Sequence, residues 1–87
     1  MNHFVYIIYA EKFDKYYKGY TTNPENRLKQ HNNKESRYTA HFTPWLLVYL
    51  EKFDTKKDAL IREKALKKFS KKSLINLIKS PKNILNN

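Results

Sequence analysis

The sequence predicts an α/β chain of the α+β kind, a small three-stranded sheet flanked by helices, and three observations carry that prediction. Residues 4–10 (Phe-Val-Tyr-Ile-Ile-Tyr-Ala) are an aliphatic and aromatic run with two apolar faces, which marks a strand covered on both sides by helices. A second strand-like stretch, Lys15 to Thr21, follows closely enough to make an antiparallel hairpin with a short loop. Two helix starts punctuate the remainder: Thr22-Asn23-Pro24-Glu25, and Thr55 with Asp58 three residues later.

Register decides what the hairpin presents. Pairing Ala10 with Lys15 across Glu11 to Asp14 sets Tyr6 opposite Gly19 and Ile8 opposite Tyr17. Because side chains alternate with period two, Tyr6 and Tyr17 then share a face as diagonal neighbours, about 7–8 Å apart at the Cα level. A three-residue loop would separate them onto opposite faces. Gly19 is the chain's single glycine, and opposite Tyr6 its missing side chain is expected to let a substrate backbone approach closely.

Asn23 is a good cap, Pro24 suits the first helical position and Glu25 suits the positive end of the dipole, so a helix should run to Asn32 or Asn33. Arg27 and His31 are four apart on it and point the same way, while Leu28 faces the core. Residues 32–43 are mixed and polar, an ordered loop ended by Pro44. Trp45 to Phe53 reads as a second central strand, with Trp45 in the core. The helix begun at Thr55 carries Ala59, Leu60, Ile61, Ala65, Leu66 and Phe69. A last helix from Ser70 to Lys79 turns Leu74, Ile75, Leu77 and Ile78 inward, and Pro81 ends it. Residues 1–80 are expected to form one domain and the Asn-rich residues 81–87 a short, frayed tail.

Composition narrows the function classes. The chain has 87 residues and 13 of them are Phe, Tyr or Trp, large side chains that let a short sequence bury a core without disulfides. Cysteine is absent, which removes disulfides and thiolate metal sites and fits a reducing compartment. No apolar run approaches membrane-spanning length and the N-terminus lacks a secretion pattern, so a soluble cytoplasmic protein without membrane attachment is the expectation. Lys and Arg number 18 against 8 Asp and Glu, a formal net charge of +10, which makes polyanions the expected partners. Eleven of the 18 lie from Lys52 onward, including Lys56-Lys57, Lys67-Lys68 and Lys71-Lys72, and such clustering favours a binding face over general solvation.

Cutting a phosphodiester calls for a proton acceptor, a cation for the phosphate oxygens and support for the leaving oxygen. The tyrosines with Arg27 and His31 could supply the first two, and Glu63 the third. Glu63 lies beside the buried stripe of its helix, so a charge there needs a reason. One is a salt bridge to Arg62, Lys67 or Arg27. The other is a magnesium ion, for which one carboxylate, waters and phosphate oxygens are a normal environment. His3 and His41 have no metal-ligand spacing with His31, which argues against zinc. Taken singly, Tyr6 and Tyr17 would read as half-buried sheet aromatics, His31 as a helix-end residue, Arg27 as a surface cation and Gly19 as a backbone accommodation. Their combination shifts that reading.

Phe4-Val5-Tyr6, Tyr17-Lys18-Gly19 and Arg27-Leu28-Lys29-Gln30-His31-Asn32 resemble, in order, the two strand motifs and the helix signature of the GIY-YIG nuclease superfamily. Ser36-Arg37-Tyr38-Thr39, Pro44-Trp45 with Leu47-Val48-Tyr49, and Ala59 to Lys68 around Glu63 are similar to its small stand-alone class. Two departures stand out: Phe4 replaces the first motif's glycine, on the face of Tyr6, and Lys18 replaces the second motif's aliphatic, on the face opposite Tyr17. The resemblance implies a three-stranded antiparallel sheet flanked by helices and metal-dependent endonuclease cleavage of DNA. It implies that Tyr6 or Tyr17 activates water with help from His31, that Arg27 neutralises nonbridging oxygens, and that Glu63 holds one Mg2+ or Mn2+ ion supporting the leaving 3′ oxygen.

A phenol titrates near pH 10, so a tyrosine base requires either a lowered pKa or a neighbour that takes its proton, and His31 could serve in either way. Nucleic-acid contacts are expected from Lys18, Arg37, Lys67, Lys68, Lys71 and Lys72. For Arg37, Tyr38 and Thr39 the sequence leaves open whether the loop touches nucleic acid or serves the fold. So small a domain has little surface for reading a long sequence, so branched, nicked or otherwise irregular DNA is the expected substrate. The alternatives are a nucleic-acid-binding module of the same fold without turnover, and a module docking acidic proteins or membranes through its basic C-terminal helices. A protein partner or self-association stays open.

Overall fold

The computed structural model describes residues 2–86. Strands β1 (His3–Ala10), β2 (Lys15–Thr21) and β3 (Leu46–Phe53) form one sheet in the order β2-β1-β3, antiparallel throughout. The helices are α1 (Pro24–Asn32), α2 (Lys56–Leu66) and α3 (Lys71–Ile78). Short 3-10 turns occupy Glu11–Phe13, Thr39–Phe42 and Ile84–Asn86.

The apolar doubling of β1 has the expected consequence, for this strand is the centre of the sheet and is packed on both sides. Val5 and Ile7 point to a layer with Tyr49, Ala59, Leu66, Leu74 and Leu77, built from α2 and α3. Tyr6, Ile8 and Ala10 point the other way, to Trp45, Leu50, Leu28 and Phe42. The hairpin register is the one a four-residue loop dictates: Ala10 pairs with Lys15, Tyr6 with Gly19 and Ile8 with Tyr17. Asp14 closes that loop in the left-handed region at φ 51°, which Asp tolerates better than most residues. Its carboxylate accepts the Tyr9 hydroxyl at 2.9 Å and pairs with Lys71, so the loop is tied to the start of α3. Those two partners, Lys71 first, hold the Asp14 carboxyl below its usual range.

Asn23 and Thr55 cap α1 and α2 as their sequence contexts predict, accepting the backbone N–H of Asn26 and Asp58. Ser70 caps α3 by accepting the N–H of Ser73. Helix α2 ends at Leu66, before Phe69, because Lys68 and Phe69 turn back onto Ala65 and Leu66 in tighter bonds of 3.1 Å each.

Three expectations are corrected. β3 is an edge strand, not a central one; it is apolar because both of its faces lie in core layers, while its free backbone edge is covered from another source. That source is the C-terminal segment, which is not frayed through residue 86. Asn83 is 1% exposed, and its side chain accepts the Leu50 N–H at 3.1 Å and donates to Val48 O at 2.8 Å and Ile78 O at 2.9 Å. One amide thus pairs with the β3 backbone as a neighbouring strand would. Residue 87 lies outside the described residues. Finally, the 32–43 loop is ordered but contains the Thr39–Phe42 turn, which has no side-chain cap and left no periodic signal in the sequence.

Candidate active site

Register puts Tyr6 and Tyr17 on one face of the sheet, and helix α1 delivers His31 over them. Tyr6 is 2% exposed, and its ring lies across Gly19. The glycine therefore makes room for the tyrosine ring, not for a substrate backbone, which corrects the sequence expectation. A Cβ on Gly19 would fall 2.8 Å from Tyr6 Cε2 and closer still to Cζ and the hydroxyl oxygen.

From there a buried hydrogen-bonded chain runs inward. Tyr6 Oη lies 2.8 Å from His31 Nε2, and His31 Nδ1 lies 2.7 Å from Thr39 Oγ1. The Thr39 hydroxyl proton goes to Ser36 O at 3.3 Å, so toward His31 this oxygen is an acceptor. With the Thr39 hydroxyl so oriented, Nδ1 carries the imidazole proton, Nε2 is the acceptor and the Tyr6 hydroxyl donates to His31, and this is the tautomer assigned to His31. Thr39 is itself held by the Trp45 indole, which donates to Thr39 O at 2.8 Å. Trp45 in turn is clamped by Asn32, whose amide accepts Trp45 N–H at 2.6 Å and donates to Trp45 O at 3.0 Å. Tyr17 packs its ring edge-on to His31, centroids 5.3 Å apart.

Electrostatics bring in the remaining two groups. Burial pushes the Tyr6 phenol up to about 12, against the pull of the Arg27 guanidinium; Tyr17 and the Glu63 carboxylate push it further up. Burial, with Arg27 assisting, pulls His31 down to about 4. Glu63 comes from α2, in the layer on the other face of the sheet, yet its charge is felt at the Tyr6 hydroxyl. Arg27, Tyr17 and, most weakly, Glu63 thus all act on the Tyr6 phenol, while His31 responds to burial and to Arg27.

The structure also chooses among the partners open to Glu63. Arg62 is engaged with Glu51 at 3.1 Å, and Arg27 donates to Gln30 Oε1 at 2.8 Å. Lys67, one turn along α2, lies 3.6 Å from the Glu63 carboxylate, which is 18% exposed. Among the described residues no three His, Cys, Asp or Glu side chains converge into a metal cluster. A single carboxylate suits a hydrated Mg2+ or Mn2+ ion, which needs few protein ligands, and does not suit zinc.

The basic residues are dispersed over the surface. Lys18 lies opposite Ile7 on the α2 side, half-buried, and burial with the charge of Lys67 lowers its pKa. Lys67, Lys68, Lys71 and Lys72 are exposed at the α2–α3 junction, where Lys71 is paired with Asp14. Arg37 is exposed on the loop, and Phe4 is half-buried on the Tyr6 side.

A family model described as the GIY-YIG catalytic domain matches residues 2–76. The chain belongs to the GIY-YIG family. That places this GIY-YIG chain in a nuclease superfamily, and its relatives share its small format. It is 42% identical over 77 residues to a UPF0213 protein of Staphylococcus haemolyticus, covering 87% of this chain and 93% of that one. With a UPF0213 protein of Enterococcus faecalis the identity is 34% over 82 residues, covering 91% and 92%. The solution NMR structure of a UPF0213 protein from Bacillus halodurans matches with a TM-score of 0.60 at 34% identity, over 94% of this chain and 87% of that one.

Two residues of the GIY-YIG site carry roles that the sequence did not assign. Thr39 is fully buried behind His31, so it cannot touch nucleic acid; its hydroxyl holds the imidazole at Nδ1. Asn32 stands in the helix signature, one residue after His31, and its clamp on Trp45 holds the loop that carries Thr39. The signal available for both was proximity in sequence to assigned residues, which says nothing about direction.

Proposed function

We propose that this protein is a divalent-metal-dependent endonuclease that hydrolyses DNA phosphodiester bonds, with structured or irregular DNA as substrate. The observation that carries this reading is the buried Tyr6–His31–Thr39 chain, oriented to move one proton away from the phenol. With Tyr6 raised and His31 depressed, the resting pair is neutral, so the phenol is not a ready-made phenolate. This supports the second of the two options left by the sequence, with His31 as the acceptor of the Tyr6 proton.

In the reaction a water attacks phosphorus and gives its proton to the Tyr6 oxygen as the Tyr6 proton passes to His31 Nε2. The P–O3′ bond breaks, leaving a 5′-phosphate, and the 3′ oxygen takes a proton from solvent. Arg27 grips the nonbridging oxygens with its planar fork. This contact has a second effect. Arg27 is the smaller of the two causes of the low basicity of His31, after burial, so a phosphate that neutralises Arg27 lifts that part of the depression and makes the imidazole a better proton acceptor. Tyr17, packed edge-on to His31, fixes the ring and faces the substrate side. Glu63 would hold a magnesium or manganese ion, which when bound supplies Lewis-acid stabilisation of charge on the leaving oxygen.

The pairing of Glu63 with Lys67 favours a second reading, binding without turnover, since a lysine on the carboxylate competes with a cation. Plasmid or branched DNA with magnesium or manganese separates the two. The nuclease reading expects nicking that is lost in Glu63→Ala while binding stays largely intact, whereas a wild type that binds but never cuts under either ion refutes it.

A further inference from the structure

Next to Tyr17, on the side away from His31, lies a row of aromatic rings that the hydrolytic chemistry does not use. Tyr38 is 54% exposed; its ring centroid lies 6.2 Å from that of Tyr17, with the planes tilted by 32°. Phe42 follows 5.3 Å from Tyr38, and Phe13, 41% exposed, follows 5.3 Å from Phe42. Cations alternate with the rings: Lys15 Nζ stands 5.7 Å from the Phe42 centroid, Lys12 Nζ 5.7 Å from that of Phe13, and Arg37 precedes Tyr38 in the exposed loop.

Folding gives no account of this placement. Phe42 is half-buried and helps seal the Tyr6–Trp45 layer, but Tyr38 leaves most of its ring in water when a polar residue would serve there equally well. Flat exposed rings with ammonium and guanidinium groups between them are what an unpaired nucleotide requires. The base stacks on a ring and its phosphate meets a cation.

We propose that Tyr38, backed by Tyr17 and Phe42, forms a base-stacking subsite that receives an unstacked nucleobase next to the phosphodiester held at Tyr6 and Arg27. This rests on the nuclease reading and adds a ligand class to it: an unpaired nucleotide, such as a single strand or a base displaced at a break, is gripped by its face. Continuity fixes the position of the subsite, because Tyr17 touches both His31 and Tyr38. Lys15 and Arg37 attract the flanking phosphates without regard to the base.

The test is equilibrium binding without divalent cation, so that cleavage plays no part. The probes are a short single-stranded oligothymidine and a chain of equal length whose sugars carry no base. The wild type should prefer the oligothymidine by roughly tenfold to a hundredfold. Tyr38→Ala should erase that preference and leave the base-less chain unaffected, while Tyr38→Phe restores it. Lys15→Ala and Arg37→Ala should weaken both probes alike. Should Tyr38→Ala fail to fold, Tyr38→Leu, which keeps the bulk without the flat ring, carries the same expectation. An unchanged preference in the alanine or leucine variant overturns the subsite, as does a wild type that cannot tell the probes apart. A wild type that cuts DNA without that discrimination overturns the subsite alone; one that discriminates but never cuts overturns the nuclease reading alone.

Discussion

Replacing Gly19 with alanine puts one methyl group where the Tyr6 ring already lies, within 2.8 Å of Cε2 and nearer still to Cζ and the hydroxyl oxygen. The ring cannot swing away freely, since it is 2% exposed and its hydroxyl is bonded to His31 at 2.8 Å. Overpacking of this kind costs about 1–3 kcal/mol. If the ring yields instead, the buried Nε2 of His31 loses its partner, at about 1–3 kcal/mol. Either route should lower the melting temperature by about 4–8 °C per kcal/mol in a domain of this size.

Chemical denaturation in a double-mutant cycle with Tyr6→Ala isolates the cause. Without the ring, Gly19→Ala meets no obstacle, and relief of the glycine's conformational entropy should make it stabilising by roughly 0.5–1 kcal/mol. The effect of the substitution thus changes sign between the two backgrounds, for a coupling of about 1.5–4 kcal/mol. Nicking activity should fall with the loss of the Tyr6–His31 bond. Equal cost in both backgrounds would show that Gly19 serves the backbone and not the tyrosine, and the close-approach argument would fail.

Stability should depend on the protonation of His31. Its pKa is lowered from 6.5 to about 4, so between these values the unfolded chain binds a proton that the folded chain refuses. The contribution is whole above about pH 6.5, drains as pH falls to about 4, and amounts to at most roughly 3 kcal/mol. Urea midpoints of wild type and His31→Gln should converge over this window, and parallel curves would contradict the assignment. Asn83→Ala strips partners from the backbone of Leu50, Val48 and Ile78 and should cost about 2–4 kcal/mol, with faster amide exchange at Leu50. An unchanged midpoint and unchanged exchange would mean that the C-terminal turn is frayed after all.

Local chemistry by itself determined much of this protein. The two-faced apolar run named β1 as a strand covered on both sides, Asn23-Pro24 and Thr55 with Asp58 marked helix starts that the backbone obeys, and each possible loop length implied its own hairpin register, of which the structure has the four-residue one. Once the register was set, Tyr6 and Tyr17 had to share a face, and the helix period had to align Arg27 with His31. The family motifs were legible for the same reason, being short and ordered along the chain.

Only the tertiary structure decided relations between segments that no period connects. It placed β3 at an edge and covered it with Asn83, whose side chain imitates a strand in a stretch whose composition reads as tail. It gave the space over Gly19 to a ring, and turned Thr39 inward onto the His31 imidazole while leaving its neighbour Tyr38 in solvent. It also left Tyr6 with a raised pKa, because burial outweighs the nearby guanidinium, a balance set by how much water the surrounding layers exclude. Propensity, capping and period act over a few residues and can be read along the chain. Desolvation, steric occupancy and the direction of a loop side chain depend on what is packed opposite, and that is fixed only when distant segments meet.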